Sequence, residues 1–257
     1  MNFLNNIIEQ KLLEISIQSV REPFDKLKNI NRDLPILKFN EYFKTNNTGI
    51  ISELKQKLLS NEKKSDRELI LKLIKNLQKI GVSAFSVLTD KRFFNGSLSF
   101  LKFIKTNSSI PIIQKDFIIS EYQIYQAYLN GADGIVLIAE ILDSYQLKDY
   151  YQLIKELKME AFIETHSLND FHKVNKINPN VILVSSRNLK NMKINFADFK
   201  KFKSVISEST LSFAEGGIKS NDNYECLKKM EFNGVFLGAN LMLNDNPEDI
   251  IKSYLKN

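Results

Sequence analysis

The sequence of 257 residues has few of the residue types that mark a disulfide scaffold, a metalloprotein or a disordered chain. Its single cysteine, Cys226, cannot form an internal disulfide, so we expect a reducing, cytoplasmic setting. Two histidines, His166 and His172, give no cluster of soft metal ligands, and no metal site is expected. With nine glycines, five prolines and 43% hydrophobic residues, the chain can bury a sizeable core and contains no evident flexible linker.

A long uninterrupted apolar run, as in a signal peptide or a membrane span, is also missing from the N-terminus. The stretch Met1–Glu14 carries the charged residues Glu9, Lys11 and Glu14 among its apolar residues. We therefore interpret it as an amphipathic helix, and we expect no membrane partner.

Acidic residues are the minority among the charged ones, which gives a net charge of +6 and an isoelectric point near 9.1. This excess is compatible with an anionic ligand, a nucleic-acid surface or a Lys-, Asn- and Ile-rich composition without function. The lysines are spread along the whole chain, and no basic block is interleaved with aromatic residues. No nucleic-acid partner is expected, although a basic interaction protein built on a scaffold fold remains an alternative.

Short apolar runs alternate eight times with amphipathic segments, and the length matches the roughly 250 residues of an eight-fold β/α barrel. Continuous runs such as Gly134–Ile138 are typical of parallel strands that are covered on both faces. The fold prediction is therefore an α/β protein with a (β/α)₈ barrel and an extra N-terminal helical segment. The predicted strands are Gly49–Leu54, Ser83–Leu88, Pro111–Lys115, Gly134–Ile138, Ala161–Thr165, Val181–Ser185, Leu211–Ala214 and Gly234–Leu237.

Helical periodicity fills the intervals between these strands, with apolar residues returning every three or four positions. We expect one domain over residues 1–257, in which residues 1–48 form a helical extension that packs on the barrel. An open doubly wound sheet is the second possibility, but its usual Gly-rich first turn is absent here. The clearest helices are Asp66–Ile80, Glu121–Asn130, Ser144–Lys158 and Asn221–Met230, and a weak sixth one lies near Phe196–Phe202.

Charged residues stand at the carboxyl ends of the predicted strands, where barrels of this kind place their chemistry. Glu53 and Lys55, like Glu164 and His166, are two residues apart and so share one face of a strand. Each residue alone could be a rim salt bridge, but converging carboxylates and cations separate pKa values and suit acid–base catalysis. The set also includes Lys115, Asp116, Arg187 and Glu215.

Glycines follow the last two predicted strands, in the segments Glu215–Ile218 and Phe236–Asn240. Loops at these positions form the usual phosphate site of such barrels, because backbone N–H groups can approach the anion. A plain turn or a helix-packing role is the competing interpretation of these glycines.

From the first helix to about Met242, the motifs in this order resemble the indole-3-glycerol phosphate synthase family. The segment with Lys115, Asp116 and Phe117 after a strand is quite specific, whereas the glycine loops occur in many phosphate-binding barrels. The matching segments are Ser52–Lys55, Ser86–Asp90, Phe94–Ser97, Ile110–Phe117, Tyr122–Ile124, Gly131–Asp133, Ile163–His166, Arg187–Leu189, Glu215–Gly217 and Gly238–Met242.

Members of this family close the indole ring of a carboxyphenylamino-deoxyribulose 5-phosphate with loss of carbon dioxide and water, in tryptophan biosynthesis. The resemblance implies a phosphorylated small-molecule substrate, no cofactor, no metal, and a monomer or homodimer. It implies that Lys115 is the general acid for the departing carbonyl oxygen and that Glu164 is the base that completes the dehydration. Glu53, Lys55 and Glu215 would orient the sugar hydroxyls and stabilise developing charge.

The resemblance also implies residues that bind the substrate. Phe94 and Phe117 would line an apolar slot for the anthranilate ring, although ordinary packing would explain both residues equally well without the resemblance. Ser185 and Arg187 would contact the substrate. Backbone groups of the glycine segments would hold the phosphate, at Gly216, Gly217, Gly238 and Ala239.

Three segments depart from the family pattern. Leu58–Glu62 stands where a Ser-Pro-Ser loop is usual, Ser185–Arg187 has a hydroxyl in place of an amide, and Glu215–Gly217 lacks a serine. A catalytically impaired or altered-substrate phosphosugar-binding barrel of the same family is therefore the alternative to an active synthase. A sibling isomerase that uses a Cys/Asp pair is a weaker alternative, because Cys226 falls within the seventh helix pattern.

Overall fold

A computed structural model describes residues 3–43, 48–56, 67–189, 191–238 and 246–255. Eight parallel strands pair in sequence order, and β1 also pairs with β8, so the sheet closes into the predicted barrel. Four strands have the predicted bounds, and the other four begin or end one residue away. The strands are β1 Gly49–Leu54, β2 Ala84–Leu88, β3 Ile112–Lys115, β4 Gly134–Ile138, β5 Glu160–Thr165, β6 Val181–Ser185, β7 Leu211–Glu215 and β8 Gly234–Leu237.

Helices follow the strands around the barrel, and the weak sixth pattern is a short helix of six residues. Many helices begin at a side chain that accepts a hydrogen bond from the first turn, as Ser120 and Asp143 do. The helices of the described ranges are α1 Phe3–Arg21, α2 Phe24–Lys28, α3 Arg67–Lys79, α4 Lys91–Phe94, α5 Leu98–Thr106, α6 Glu121–Leu129, α7 Ser144–Glu156, α8 Leu168–Asn175, α9 Asp198–Lys203, α10 Asn221–Lys229 and α11 Pro247–Leu255. Among them, none has the length and apolar character needed to cross a bilayer.

The interior of the barrel is filled by large aromatic side chains. Phe162, Phe213 and Phe236 are fully or almost fully buried, and the ring centroids of Phe162 and Phe213 lie 5.3 Å apart in an edge-to-face contact. Residues beside them in the strands, such as Ala214, point outward to the layer of helices. This alternation gives two cores, one inside the sheet and one between sheet and helices.

The N-terminal segment closes the amino end of the barrel. Phe39 and Phe43 are buried, and their rings contact Phe162 and Phe213 with centroid distances of 5.1 Å and 4.9 Å. A Cβ atom at Gly49, the first residue of β1, would lie 2.7 Å from the ring of Phe43, so this position has no space for a side chain.

Asp133, which directly precedes β4, is the centre of a polar cluster at the same end of the barrel. It is almost fully buried and contacts Lys105 Nζ at 2.7 Å and Arg32 Nη2 at 3.3 Å. The backbone N–H groups of Leu37 and Ile112 also donate to its carboxylate. Arg32 and Leu37 precede the barrel, so this cluster fastens the N-terminal segment to α5 and β3.

The aromatic core predicts a large effect for one truncation. Phe162→Ala should lower the free energy of unfolding by about 3–5 kcal/mol, because the ring fills the barrel interior and its loss leaves a cavity. Urea denaturation measures this change. Tyr145→Ala is the matched control, since that ring is 83% exposed, and it should change stability by less than about 0.5 kcal/mol. Equal effects of the two substitutions would contradict this packing account.

Candidate active site

Four charged side chains from alternate strands meet at the carboxyl end of the barrel. They are Glu53 of β1, Lys115 of β3, Glu164 of β5 and Glu215 of β7. Strands β1, β3 and β7 are not neighbours in the sheet, so the contacts among their side chains must cross the interior. Barrels of this type stack side chains from alternate strands in layers, and these four residues occupy the last layer before the mouth. The layer below them on the same strands contains Ile51, Ile113, Phe162 and Phe213.

Lys115 lies at the centre of this layer. Its Nζ atom is 3.0 Å from Glu53 Oε1 and also forms an ion pair with Glu215 Oε2. The ring of Phe236 lies beneath the ammonium group, with its centroid 5.7 Å from Nζ. Burial lowers the pKa of Lys115, but the charges of Glu215, Glu53 and Glu164 raise it more. Lys115 is therefore protonated at neutral pH.

Glu164 is held by a histidine that follows the same strand. Its Oε1 atom lies 2.9 Å from His166 Nε2, while His166 Nδ1 lies 2.7 Å from the backbone oxygen of Arg187. Burial raises the pKa of Glu164, but Lys115 and His166 lower it by a larger amount, so that the pKa is about 2. The other oxygen, Oε2, is buried and has no hydrogen-bond partner among the described residues. Glu164 thus presents a charged, oriented oxygen to the site.

Glu215 behaves differently from Glu164. Burial and the nearby charges of Glu164 and Glu53 outweigh the attraction of Lys115 and raise the pKa of Glu215 to about 7. Its carboxyl group can therefore exchange a proton near physiological pH. At neutral pH, Lys115 therefore stays protonated and Glu164 stays ionised, while Glu215 titrates.

Two aromatic rings stand beside the mouth. Phe94 ends α4 and Phe117 follows β3, and their rings are stacked with centroids 6.3 Å apart. Both are half-buried. Asp90 caps α4 by accepting a hydrogen bond from Phe93 N–H at 2.6 Å, and Asn95 ends it in a left-handed conformation with φ of 51°. This short helix therefore fixes the direction of Phe94 toward Phe117.

The glycine segments have two distinct structural roles. Gly216 and Gly217 have φ values of 87° and 70°, which form a tight turn after β7 that other residues rarely adopt. Gly238 follows β8, and a side chain there would overlap with the carboxylate of Glu53. Gly238 therefore makes room for a member of the charged cluster, a role that we did not predict from the sequence.

The remaining predicted site residues have varied surroundings. Ser185 is buried at the end of β6, where it pairs in register with Glu215, and Arg187 is half-buried two residues later. Lys55 is half-buried directly after β1, and within the described ranges no salt bridge joins it to the cluster. Asp116 points away from the cluster and binds Lys11 instead. Ala239 and the segment 58–62 lie outside the described residues.

Sequence reasoning placed His166 at the mouth but did not give it a partner. The spacing of Glu164 and His166 was the signal, because residues two apart in a strand point the same way. Among the described residues, no three His, Cys, Asp or Glu side chains are arranged to hold a metal ion. Cys226 lies unpaired in α10, away from the strand ends.

The histidine contact leads to a test by proton NMR. Burial lowers the pKa of His166, but Glu164 and the Arg187 carbonyl raise it more, so the pKa of His166 should lie above the ordinary value of a histidine. Glu164→Gln removes the principal raising charge and should lower the midpoint of the His166 C2–H signal. The second histidine, His172, is exposed and serves as the reference, assigned with His172→Gln. An unchanged His166 midpoint in Glu164→Gln would show that the two side chains do not interact.

Solved structures with low sequence identity share the fold. Thiamine phosphate pyrophosphorylase from Pyrococcus furiosus matches with a TM-score of 0.62 and 13% identity, over 84% of this chain and 96% of that chain. A 3-hexulose-6-phosphate synthase matches with a TM-score of 0.64 and 11% identity, over 80% of this chain and 98% of that chain. These similarities support the barrel architecture alone.

Sequence relatives define the family. The family model described as indole-3-glycerol phosphate synthase matches residues 4–254. The indole-3-glycerol phosphate synthase of Chlorobaculum tepidum is 32% identical over 95% of this chain and 97% of its own length. That of Bacillus thuringiensis (strain Al Hakam) is 33% identical over 95% of this chain and 94% of its own length. With a match along nearly its whole length, the chain belongs to the indole-3-glycerol phosphate synthase family.

Proposed function

We propose that the mouth of this barrel converts 1-(2-carboxyphenylamino)-1-deoxyribulose 5-phosphate to indole-3-glycerol phosphate, with loss of carbon dioxide and water. The chain is a carboxy-lyase of tryptophan biosynthesis. The observation that carries this proposal is the shared layer of Lys115 and Glu164, in which the half-buried Lys115 stays protonated and the buried Glu164 stays ionised. Ring closure and dehydration need such a pair, because one proton goes to oxygen and another leaves carbon.

Lys115 is the general acid of this mechanism. The carboxylates of Glu53 and Glu215 keep its ammonium group protonated and direct it toward the mouth. Lys115 gives its proton to the carbonyl oxygen as negative charge develops there, since the oxygen becomes a stronger base during carbon–carbon bond formation. The same carboxylates favour its reprotonation, so the acid is restored for the next turnover.

Glu164 is the general base of the dehydration step: it removes the proton from carbon as the C–O bond breaks, and the departing hydroxide takes a proton from solvent and leaves as water. In the resting site its basicity is suppressed, because Lys115 and His166 hold its pKa at about 2. Once Lys115 has given up its proton, one of these two positive charges disappears. The pKa of Glu164 then rises, and the first proton transfer strengthens the base that the second one needs.

The remaining predicted residues bind the substrate in this proposal. Phe94 and Phe117 hold the anthranilate ring, which their stacked, half-buried rings support. Ser185 and Arg187 contact the substrate, and Lys55, Glu53 and Glu215 orient its sugar hydroxyls. The phosphate lies at the turns after β7 and β8, held by backbone groups of Gly216, Gly217, Gly238 and Ala239.

The enzyme acts as a monomer or a homodimer in this proposal. The free Cys226 supports a cytoplasmic location, and no role for nucleic acid is proposed. A catalytically impaired or altered-substrate phosphosugar-binding barrel is the second candidate, because Ser185 offers a shorter side chain than the amide of the family pattern. Tight binding of indole-3-glycerol phosphate without formation of indole product would favour that candidate.

The acid role of Lys115 is open to a direct test. Lys115→Met keeps the length of the side chain and removes the proton donor, so kcat/KM should fall by about 10²-fold or more. The indole fluorescence that appears from the carboxyphenylamino substrate measures turnover. Lys148→Met, on the exposed side of α7, is the matched control and should retain the parent rate. Normal turnover in Lys115→Met would remove this residue from the proposed role.

The titration of Glu215 predicts a feature of the pH profile. Its pKa is raised to about 7, so the carboxylate that holds Lys115 forms as the pH rises through that value. The parent kcat/KM should therefore increase with pH in a transition near neutrality. Glu215→Gln should lower kcat/KM and abolish this transition, because the amide does not titrate. Persistence of the transition in that variant would assign it to another group.

A further inference from the structure

The inner face of α1 carries a buried lysine where an apolar residue is expected. Leu4, Ile7 and Lys11 follow the three-to-four-residue spacing of a helix face, and all three are buried, with Lys11 only 4% exposed. On the outer face, by contrast, Leu13 and Val20 are 56% and 82% exposed. A helix that buries a lysine and exposes a leucine departs from the amphipathic pattern, and such departures indicate a specific polar role.

Lys11 joins two buried carboxylates next to the proposed active site. Its Nζ atom is 2.8 Å from both Asp90 Oδ2 and Asp116 Oδ1, and 3.1 Å from Glu14 Oε2. The hydroxyl of Thr89 donates to the second oxygen of Asp116 at 2.6 Å. Both aspartates have side chains that are less than a tenth exposed. One ammonium group therefore offsets part of the repulsion among these carboxylates.

Each aspartate also fixes a piece of the proposed active site. Asp116 directly follows Lys115, and its carboxylate accepts a hydrogen bond from Phe117 N–H at 2.8 Å. Asp90 caps the short helix α4, which ends in Phe94. The proposed acid and both walls of the aromatic slot thus depend on carboxylates that share Lys11.

We propose that Lys11 of α1 is a positioning residue for the synthase reaction: by clamping Asp90 to Asp116, it holds the Lys115–Phe117 segment and the Phe94 ring in register. This inference rests on the proposed function, because it gives Lys11 the task of aligning that site.

Apolar packing supports the position of α1 only in part. A cavity of about 290 Å³ separates α1 from the barrel and is lined by Glu14, Gln18 and Gln114, among other polar residues.

The chain provides a matched control for the structural part of this role. Lys105 is equally buried and pairs with the buried Asp133, at 2.7 Å, at the amino end of the barrel. Loss of either lysine removes an ion-pair partner from buried carboxylates and destabilises the fold. Because Asp133 lies at the opposite end from the mouth, loss of Lys105 should leave the alignment of the active site intact.

The experiment compares Lys11→Met with Lys105→Met, at a temperature well below the melting point of both. Both variants should have a lower melting temperature than the parent protein. Lys11→Met should lower kcat at least tenfold and weaken the binding of indole-3-glycerol phosphate, measured by calorimetry, at least fivefold. Lys105→Met should keep kcat and product affinity within twofold of the parent. Lys11→Arg, which preserves the charge, should restore kcat to within threefold.

A parent-like kcat in Lys11→Met, or an equal loss of kcat in Lys105→Met, would overturn the positioning role. If Lys11→Met does not fold, Lys11→Gln makes the same test, because the amide can still bond one carboxylate. For Lys11→Gln, a loss of at least threefold in kcat would support the role, and an unchanged kcat would reject it. Parent protein without any turnover would reject the synthase function instead, while the calorimetric comparison of the variants would still test the effect of Lys11 on the pocket.

Discussion

The attraction between the Lys115 ammonium group and three carboxylates, of which Glu53 and Glu164 are buried and Glu215 is half-buried, is the interaction on which the chemistry of this molecule depends. Without that charge, Glu53, Glu164 and Glu215 would repel one another at the mouth of the barrel. With it, the pKa values of Lys115, Glu164 and Glu215 depend on the charges of their neighbours, as the opposite shifts of Glu164 and Glu215 illustrate. Alternate strands place the four side chains in one layer, so the fold itself brings together ions that are far apart in sequence.

This charged layer also explains residues that carry no chemistry of their own. Gly238 follows β8 without a side chain because the carboxylate of Glu53 occupies that space. Phe236, two residues earlier, supplies an aromatic floor under the ammonium group of Lys115. A larger residue at position 238 would displace Glu53, and the loss of its charge would alter the proton affinities of Lys115 and Glu215. Strand β8 contributes no ion to the layer, yet it shapes the space that Glu53 and Lys115 occupy.

Much of the fold could be predicted from the sequence, because buried parallel strands appear as continuous apolar runs with polar residues where they end. The same logic predicted that Glu53, Lys55, Lys115, Glu164 and Glu215 would meet, and the charged layer contains all of these except Lys55. The pattern of apolar and polar residues could not predict which part of the barrel each helix face contacts. Lys11 appeared as one of several charges on an amphipathic helix, and its burial against Asp90 and Asp116 depends on where α1 docks. Contacts between distant segments are set by packing, which local patterns do not encode.

The acid and the base of the proposed reaction have separate supports. The N-terminal segment begins at the mouth with Lys11, packs along α6 through Phe24 and ends at the amino end with Phe39 and Phe43. It therefore clamps the sector of β2 to β4, which carries Lys115. Glu164 instead depends on the chain of contacts through His166 to the Arg187 carbonyl, which joins β5 to β6. The charges of Lys115 and Glu164 interact across the mouth, so a displacement of either side chain changes the pKa of the other. Rigid support on both sides therefore preserves the pKa values on which the two proton transfers depend.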